Sequence, residues 1–87
     1  STVHKIDFTA SSVPQSTAFS ADTSYVMLCA KTAGCHFVVA STPTATVNAG
    51  SYLPKDEVIL IKVSGGDKIG AIREASTSGS LYATEMV

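Results

Sequence analysis

The sequence has little of several residue types that would define a protein class. It has no tryptophan, and only two cysteines, three prolines and four leucines occur among its 87 residues. Two cysteines are too few for a disulfide scaffold. The scarcity of leucine, with no stretch rich in Leu, Glu or Lys, argues against amphipathic helices. The length allows one small domain and excludes a second independent core.

Charge of one sign and long apolar runs are also lacking. Six basic and seven acidic residues nearly cancel and are scattered, so we expect no nucleic-acid partner. The longest apolar run, Tyr25–Ala30, is far shorter than the roughly 18 residues that a membrane span needs. No charged stretch precedes an apolar one near the first residue, so we expect neither a secretory signal nor a membrane partner.

The residues that are abundant favour strands. Ser, Thr and Ala supply 33 residues, while Thr, Val, Ile, Tyr and Phe dominate the segments between Pro and Gly turns. We predict an all-β fold of six to eight short strands, as a small antiparallel sandwich or barrel with Greek-key or jelly-roll-like wiring. The predicted strands are Val3–Phe8, Tyr25–Ala30, Cys35–Ala40, Gly50–Leu53, Glu57–Val63, Lys68–Ala75 and Ser80–Met86.

The chain divides into a lead-in and a domain. Residues 25–87 hold most of the predicted strands and are expected to form the β-sandwich domain. Residues 1–24 are expected to form an extended N-terminal arm, or a first strand plus a loop. Within them, residues 9–24 are rich in Ser, Thr and Ala and are broken by Pro14, which predicts an extended segment with at most one short strand. Such segments often become ordered only against a partner.

Two turns are predicted to join consecutive strands into hairpins. Gly34 is expected to supply the positive φ of the first turn, and Gly65 with Gly66 forms the second. In the first hairpin Cys29 and Cys35 could lie opposite each other, which would permit a single disulfide bond. The alternative is two free thiols that behave as small hydrophobic side chains.

Three predicted strands are apolar on both faces. A small two-layer domain has one core, so each of its sheets has a single inward face. Monomers rarely leave a contiguous apolar patch of more than a few hundred Å² in water. We therefore predict that a neighbouring subunit covers the outward side chains in a cyclic homo-oligomer. The alternative is that residues 9–24 fold back over one sheet. The predicted interface residues are Tyr25, Met27, Val38, Val58 and Leu60.

Side chains that carry chemistry do not form a recognisable constellation. His36 and Cys35 are adjacent, so a strand would point them to opposite faces, and His4 is expected at the loosely held start of a strand. We therefore predict no metal site and no cofactor. The chain has no G-x-S-x-G element, and its carboxylates, Glu85 among them, occupy positions typical of solvated residues. We predict no catalytic residues and no enzymatic activity.

A carbohydrate-binding module is a different class of function that the sequence leaves open. Tyr25, Tyr52 and Tyr82 would form its stacking platform. Aromatic strand residues are more often part of a core or an interface.

Five short blocks from Tyr25 onward carry a resemblance to a known group of proteins. They are Gly34–His36, Thr42–Ala45, Tyr52–Pro54, Asp67–Ile72 and Gly79–Met86. Together with the Ser/Thr/Ala-rich lead-in, this pattern of short strands and Pro and Gly turns resembles small virion proteins of tailed bacteriophages. The resemblance is one of general pattern and covers about the last 60 residues.

The resemblance implies a structural, non-catalytic role in a phage particle assembled in the host cytoplasm. It favours a capsid decoration (cement) protein on the head surface, a homotrimer that binds the major capsid protein where capsomers meet. A minor head–tail or tail component is the alternative. It also implies that the lead-in lies across the capsid as an arm and adds a strand to a partner's sheet. The expected arm contacts are Val3, Ile6, Phe8, Val13 and Phe19.

Overall fold

Every regular element in the computed structural model, which describes residues 2–48 and 50–86, is a β-strand. The predicted all-β class is therefore confirmed. The eight strands are β1 (Val3–Phe8), β2 (Val13–Pro14), β3 (Tyr25–Lys31), β4 (Cys35–Ala40), β5 (Ser51–Leu53), β6 (Val58–Lys62), β7 (Lys68–Arg73) and β8 (Gly79–Met86).

The strands form two four-stranded sheets that pack into a sandwich. Sheet A has the order β1-β8-β3-β6, and sheet B has the order β2-β7-β4-β5. All strand pairs within the sheets are antiparallel. Only β4 and β5 follow each other in the chain and also pair, while every other connection passes from one sheet to the other. This order is the wiring of a jelly roll, so the predicted architecture is confirmed.

The inward faces of both sheets supply one hydrophobic core. Because side chains alternate along a strand, every second residue of each long strand points into this core. Burying one large apolar side chain contributes roughly 1.5–3 kcal/mol relative to leaving it in water. The largest fully buried hydrophobic side chains are Ile6, Phe8, Val26, Leu28, Leu53, Ile69 and Leu81.

Both predicted hairpins are wrong. The strands β3 and β4 lie in different sheets, as do β6 and β7, so the two turns carry the chain across the roughly 10 Å between packed sheets instead of reversing it within one sheet. In the first turn Thr32, with φ of 77°, takes the positive φ that was expected at Gly34. In the second turn Gly66 has φ of 89°.

Residues 9–24 are built into the sandwich, so the extended N-terminal arm is not confirmed. β2 pairs with β7 at the edge of sheet B. Next to it, the Gln15 backbone N–H donates to the carbonyl oxygen of Ile69 at 2.7 Å, and the Gln15 side-chain oxygen accepts from the Ile69 N–H at 3.1 Å. Further on, the Phe19 N–H donates to the carbonyl oxygen of Asp67 at 2.9 Å. The segment thus continues a sheet edge of its own domain.

Gly79, at the start of β8, occupies a position that leaves no room for a side chain. A Cβ there would collide with the backbone carbonyl oxygen of Lys31 and would lie 2.9 Å from the ring of Phe8. Phe8 is fully buried, so neither neighbour can yield easily. The close approach of β8 to the turn after β3 therefore requires glycine.

We expect Gly79→Ala to lower the free energy of unfolding by about 1–3 kcal/mol, because the added methyl group overpacks a rigid site. Denaturant unfolding of the purified variant measures this change. Thr77→Ala, in the exposed turn before β8, is the matched control and should stay within about 0.5 kcal/mol of the parent chain. An unchanged midpoint for Gly79→Ala would contradict the packing described for this strand.

Candidate functional site: the outer face of sheet A

The outer face of sheet A, meaning the side of the sheet that points away from the core, carries large apolar side chains in contact with solvent. Val58 and Leu60 on β6 are each 59% exposed, and Tyr25 on β3 is 46% exposed. In the described part of the chain, eight large hydrophobic side chains are exposed, and six of them lie on this face. The six are Val3, Tyr25, Met27, Val58, Leu60 and Met86.

The register of the strands brings these side chains into one patch. Met27 lies opposite Leu60 on β6, and Tyr25 lies opposite Met86 on β8. Cys29 lies opposite Val58. Because neighbouring strands are about 4.8 Å apart, side chains paired in this way touch on the same face. The exposed side chains on β3, β6 and the end of β8 therefore form one apolar surface. Val3 lies at its edge, since Thr84 separates it from Met27 and Met86 is its diagonal neighbour.

The outer face of sheet B, in contrast, is partly covered by the chain itself, although Tyr52 on β5 remains 53% exposed there. Pro43, in the loop after β4, is buried and lies so close to Gly70 on β7 that a Cβ at that glycine would be 3.0 Å from the Pro43 Cβ. Val38, opposite Gly70 in the register, is only half-buried. The alternative prediction, in which residues 9–24 fold back over one sheet, is wrong, since these residues lie along the edge of sheet B and a different segment, the loop after β4, contacts its outer face.

The structure brings together four of the five residues predicted for the oligomer interface. Tyr25, Met27, Val58 and Leu60 share the outer face of sheet A. Val38 lies on sheet B, on the opposite side of the sandwich. Alternation along each strand predicted the outward direction of all five side chains. Which sheet each strand joins is decided by pairing between distant segments.

The residues predicted as arm contacts are mostly used inside the domain. Ile6, Phe8 and Phe19 are at most 2% exposed and belong to the core. Val13 is partly buried and packs against that core. Val3, on β1, is 55% exposed and joins the patch on the outer face of sheet A. Four of the five side chains therefore have their contacts within the chain and do not form a projecting arm.

A buried carboxylate, Glu85 on β8, forms the most connected polar cluster of the fold. One of its oxygens, Oε1, accepts hydrogen bonds from the hydroxyl of Thr23 and from both the backbone N–H and the hydroxyl of Ser20. The other oxygen, Oε2, accepts from His4 Nε2 at 2.6 Å. The ring of His4 also packs edge-on against Phe19. The cluster ties residues 19–23 to β1 and β8.

This environment lowers the pKa of Glu85 from 4.5 to about 2. The hydrogen bond from Thr23 is the largest cause, and those from His4 and Ser20 act in the same direction, against the opposing effect of burial. Each donor stabilises the ionised carboxylate relative to its protonated form. The expectations of a solvated Glu85 and a loosely held His4 are therefore wrong. Glu85 follows Leu81 and Ala83 on the inward face of β8, and that alternation was the available signal.

The geometry of this cluster does not match a Ser-His-acid triad. In such a triad the histidine accepts the proton of the nucleophilic serine, while the acid orients the histidine. Here Ser20 and His4 each bond to Glu85. The carboxylate holds two segments together, and this is a structural role.

The two cysteines are free, and they lie on different sheets. Cys35 is fully buried in the core, and burial raises the pKa of its thiol to about 12. Cys29 is half-buried on the outer face of sheet A. Of the two alternatives, the structure therefore shows free thiols.

The three tyrosines do not share a surface. Tyr25 and Tyr82 point outward from sheet A, while Tyr52 lies on the outer face of sheet B beside His36, with ring centroids 5.2 Å apart. The common stacking platform required by the carbohydrate-binding alternative is therefore missing.

The other features of the described chain are weaker candidates for a functional site. Across residues 2–48 and 50–86, no three His, Cys, Asp or Glu side chains lie close enough to hold a metal ion. The same residues include no helix long and apolar enough to cross a membrane. A shallow groove of about 270 Å³ lies beside the loop after β4 and is lined by Pro14, Ser41, Thr42, Pro43, Thr44 and Lys68.

Comparison with known proteins gives no relative of this chain, since no family model, curated protein or solved structure matches it. Among the surfaces of the described residues, the outer face of sheet A is the most distinctive.

We expect the Glu85 cluster to make stability depend on acid pH. A carboxylate whose folded pKa lies below its unfolded value stabilises the fold fully above the unfolded pKa, here about 4.5, and this stabilisation is lost as the pH falls toward 2. Thermal melts between about pH 6 and pH 2 should show a smaller acid-induced loss for Glu85→Gln than for the parent chain.

The control for this test is Glu57→Gln, which changes an exposed carboxylate and should leave the pH profile unchanged. If Glu85→Gln does not fold, Thr23→Val removes one donor and should cost about 2 kcal/mol at neutral pH. A parent chain and a Glu85→Gln variant with parallel pH profiles would refute the role assigned to this carboxylate.

We expect one of the two thiols to react in the native chain. At low protein concentration a thiol reagent should modify Cys29, which is partly accessible, while Cys35 should react only after unfolding because its thiol is buried and protonated. Counting modified thiols with and without denaturant tests this, and Cys29→Ser should abolish the native reaction. Equal rates at both positions would contradict the assigned facing of β3 and β4.

Proposed function

We propose that the protein is a non-enzymatic structural protein of a tailed-phage particle and that it decorates the outside of the head. The observation that carries the proposal is the outer face of sheet A. The loop after β4 covers part of the corresponding face of sheet B, where Tyr52 is the one large apolar side chain left exposed among the described residues. On sheet A, six large apolar side chains are exposed. Contiguous apolar surfaces of this kind mark contacts with other macromolecules.

The physical character of this face supports an assembly role. Covering one exposed large apolar side chain contributes at most about 1.5–3 kcal/mol, so several are needed to hold two molecules together. A flat sheet face matches another protein surface better than it matches a small ligand, which needs a concave site. The formal charge of −1 fits a contact made by shape and burial, with little long-range steering.

Decoration of a particle also suits a small domain that assembles with copies of itself. A head presents the same binding surface many times, so linked copies can bind with an avidity well above the affinity of one contact. The jelly roll occurs in viral capsid domains, lectins and cupins, so the fold leaves the class of function open. The pattern resemblance of residues 25–86 to phage virion proteins then favours the particle.

The fold changes the expected way in which the protein contacts the capsid. Residues 9–24 complete sheet B and close one end of the sandwich. We therefore propose that the contact with the major capsid protein uses the exposed surface of the folded domain, and that the outer face of sheet A is the surface by which copies assemble.

Counting copies per particle tests the proposal. We expect quantitative mass spectrometry of purified particles of the encoding phage to find the protein in numbers comparable with the major capsid protein. A few copies per particle would instead support the minor head–tail or tail component. Absence from the particle would overturn the proposal.

A variant of the exposed face tests the surface itself. The double substitution Val58→Asp and Leu60→Asp places two charges at positions that are 59% exposed, so the fold should persist while assembly is lost. We expect at least about a tenfold loss of particle binding, since two charges must be dehydrated in an apolar contact. Val47→Asp, at a position 45% exposed outside both sheets, is the matched control. Equal decoration by both variants would exclude this face.

A further inference from the structure

The outer face of sheet A is not uniform from one end of its strands to the other. Its middle rows are apolar on β3 and β6, with Met27 opposite Leu60 in one row and Cys29 opposite Val58 in the next. Toward the β1 edge, the first row continues through Thr84 and the second ends at Lys5. The two ends carry charge. Lys62 on β6 lies in the end row with Tyr25, whereas Asp56, just before β6, lies at the opposite end.

The charged residues of this face differ in whether they have partners. Lys31 contacts Asp56 Oδ1 at 3.2 Å, and Lys5 contacts Asp7 at 3.6 Å. Among the residues that the structure describes, Lys62 forms no ion pair. One end of β6 therefore presents an unpaired cation, and the other presents a carboxylate with one oxygen, Oδ2, outside its ion pair.

A second copy of this chain fits the face in one of two orientations. Sheets that pack in the aligned manner keep their strands within about 30° of each other. A two-fold axis in the plane of the contact then runs either along the strands or across them. An axis along the strands would place β6 over β1 of the second copy, with Asp56 over Asp7, so that like charges meet.

An axis across the strands gives the complementary arrangement. It places β6 over β6 of the second copy in the opposite direction, so the apolar middle rows meet and Leu60 lies over Val58. Lys62 of each copy then faces Asp56 of the other, which forms two symmetric ion pairs. The charges at the two ends of β6 therefore select this orientation.

A contact of ordinary size would use a modest share of this chain's surface. A standard protein interface buries about 800 Å² per partner, and this is about a sixth of the chain's accessible surface of 4621 Å². The four strands of sheet A present six exposed large apolar side chains with charged residues at both ends, which is the usual pattern of an apolar centre and a polar rim.

We propose that two copies of this chain pair through the outer faces of sheet A about a two-fold axis across the strands, with Lys62 of each copy facing Asp56 of the other. This inference rests on the proposed function in taking that face as the assembly surface. The molecule that covers this face is a second copy of the chain. The resulting two-fold dimer replaces the homotrimer that the family resemblance implies.

Charge reversal at Lys62 tests the orientation. In Lys62→Glu, a glutamate faces Asp56 of the second copy at both symmetric positions. We expect the dimer dissociation constant, measured by sedimentation equilibrium at low salt, to rise about tenfold or more. Adding Asp56→Asn removes the repulsion and leaves Lys31 of the second copy facing the new glutamate, so the double variant should recover most of the loss. Asparagine tolerates the φ of 64° at position 56.

Lys68→Glu is the matched control, because it makes the same charge change on sheet B and should leave the dissociation constant unchanged. Circular dichroism and thermal melts verify that each variant is folded. Native Cys29 gives a second readout, since its reaction with a thiol reagent should slow as the dimer forms.

The outcomes separate this inference from the proposed function. A dimer that Lys62→Glu weakens, and that the double variant restores, supports the inference. A dimer equally stable in Lys62→Glu and Lys68→Glu, or one that the double variant does not restore, overturns it. A monomer or a trimer in solution also overturns it. The copy number on particles is measured independently, so a monomer that decorates particles would leave the proposed decoration of the head standing and would remove the assembly of copies through sheet A.

Discussion

Packing of the two sheets against each other is the interaction on which the rest of this structure depends. Only β4 and β5 are consecutive strands that also pair, so the other strands find their neighbours far away in the sequence. In sheet A, for example, β1 pairs with β8 at the other end of the chain. Because the chain passes repeatedly from one sheet to the other, neither sheet can be completed before the other, and the core is closed when both have formed. Topologies of this kind, dominated by non-local contacts, fold slowly for their size.

Because one core serves both sheets, each sheet has a second face that the core cannot use. On sheet B the chain covers part of this second face by placing Pro43 against Gly70, where the missing side chain of glycine allows the loop to approach closely. Sheet A has no such cover, and its outer face stays apolar. The difference between the two outer faces makes the apolar face of sheet A informative, since six large apolar side chains are exposed there and one, Tyr52, is exposed on sheet B. It is also why an assembly role is preferred over chemistry in a pocket.

The buried polar cluster gives this face a rigid support. Glu85 binds Thr23 and Ser20 on one side and His4 on the other, so it fixes the start of β1 and the end of β8 to the segment that precedes β3. Val3 and Met86, which flank these residues, belong to the exposed patch. A buried carboxylate with all its hydrogen bonds made is compatible with stability, whereas the loss of its donors would leave a charge without compensation. The cluster therefore positions the edge of the apolar face.

Local pattern alone determined the all-β class, the approximate limits of most strands and the face to which each side chain points. These follow from β propensity, turn residues and the two-residue period of a strand, all of which act within a few positions. Tertiary structure decided which strands pair, so it separated Val38 from Leu60, turned the expected hairpins into crossings and enclosed Phe19 and Glu85. It also showed residues 9–24 to be part of a sheet edge. These features depend on backbone hydrogen bonds and burial between segments distant in the chain, and such contacts leave little trace in the order of side chains.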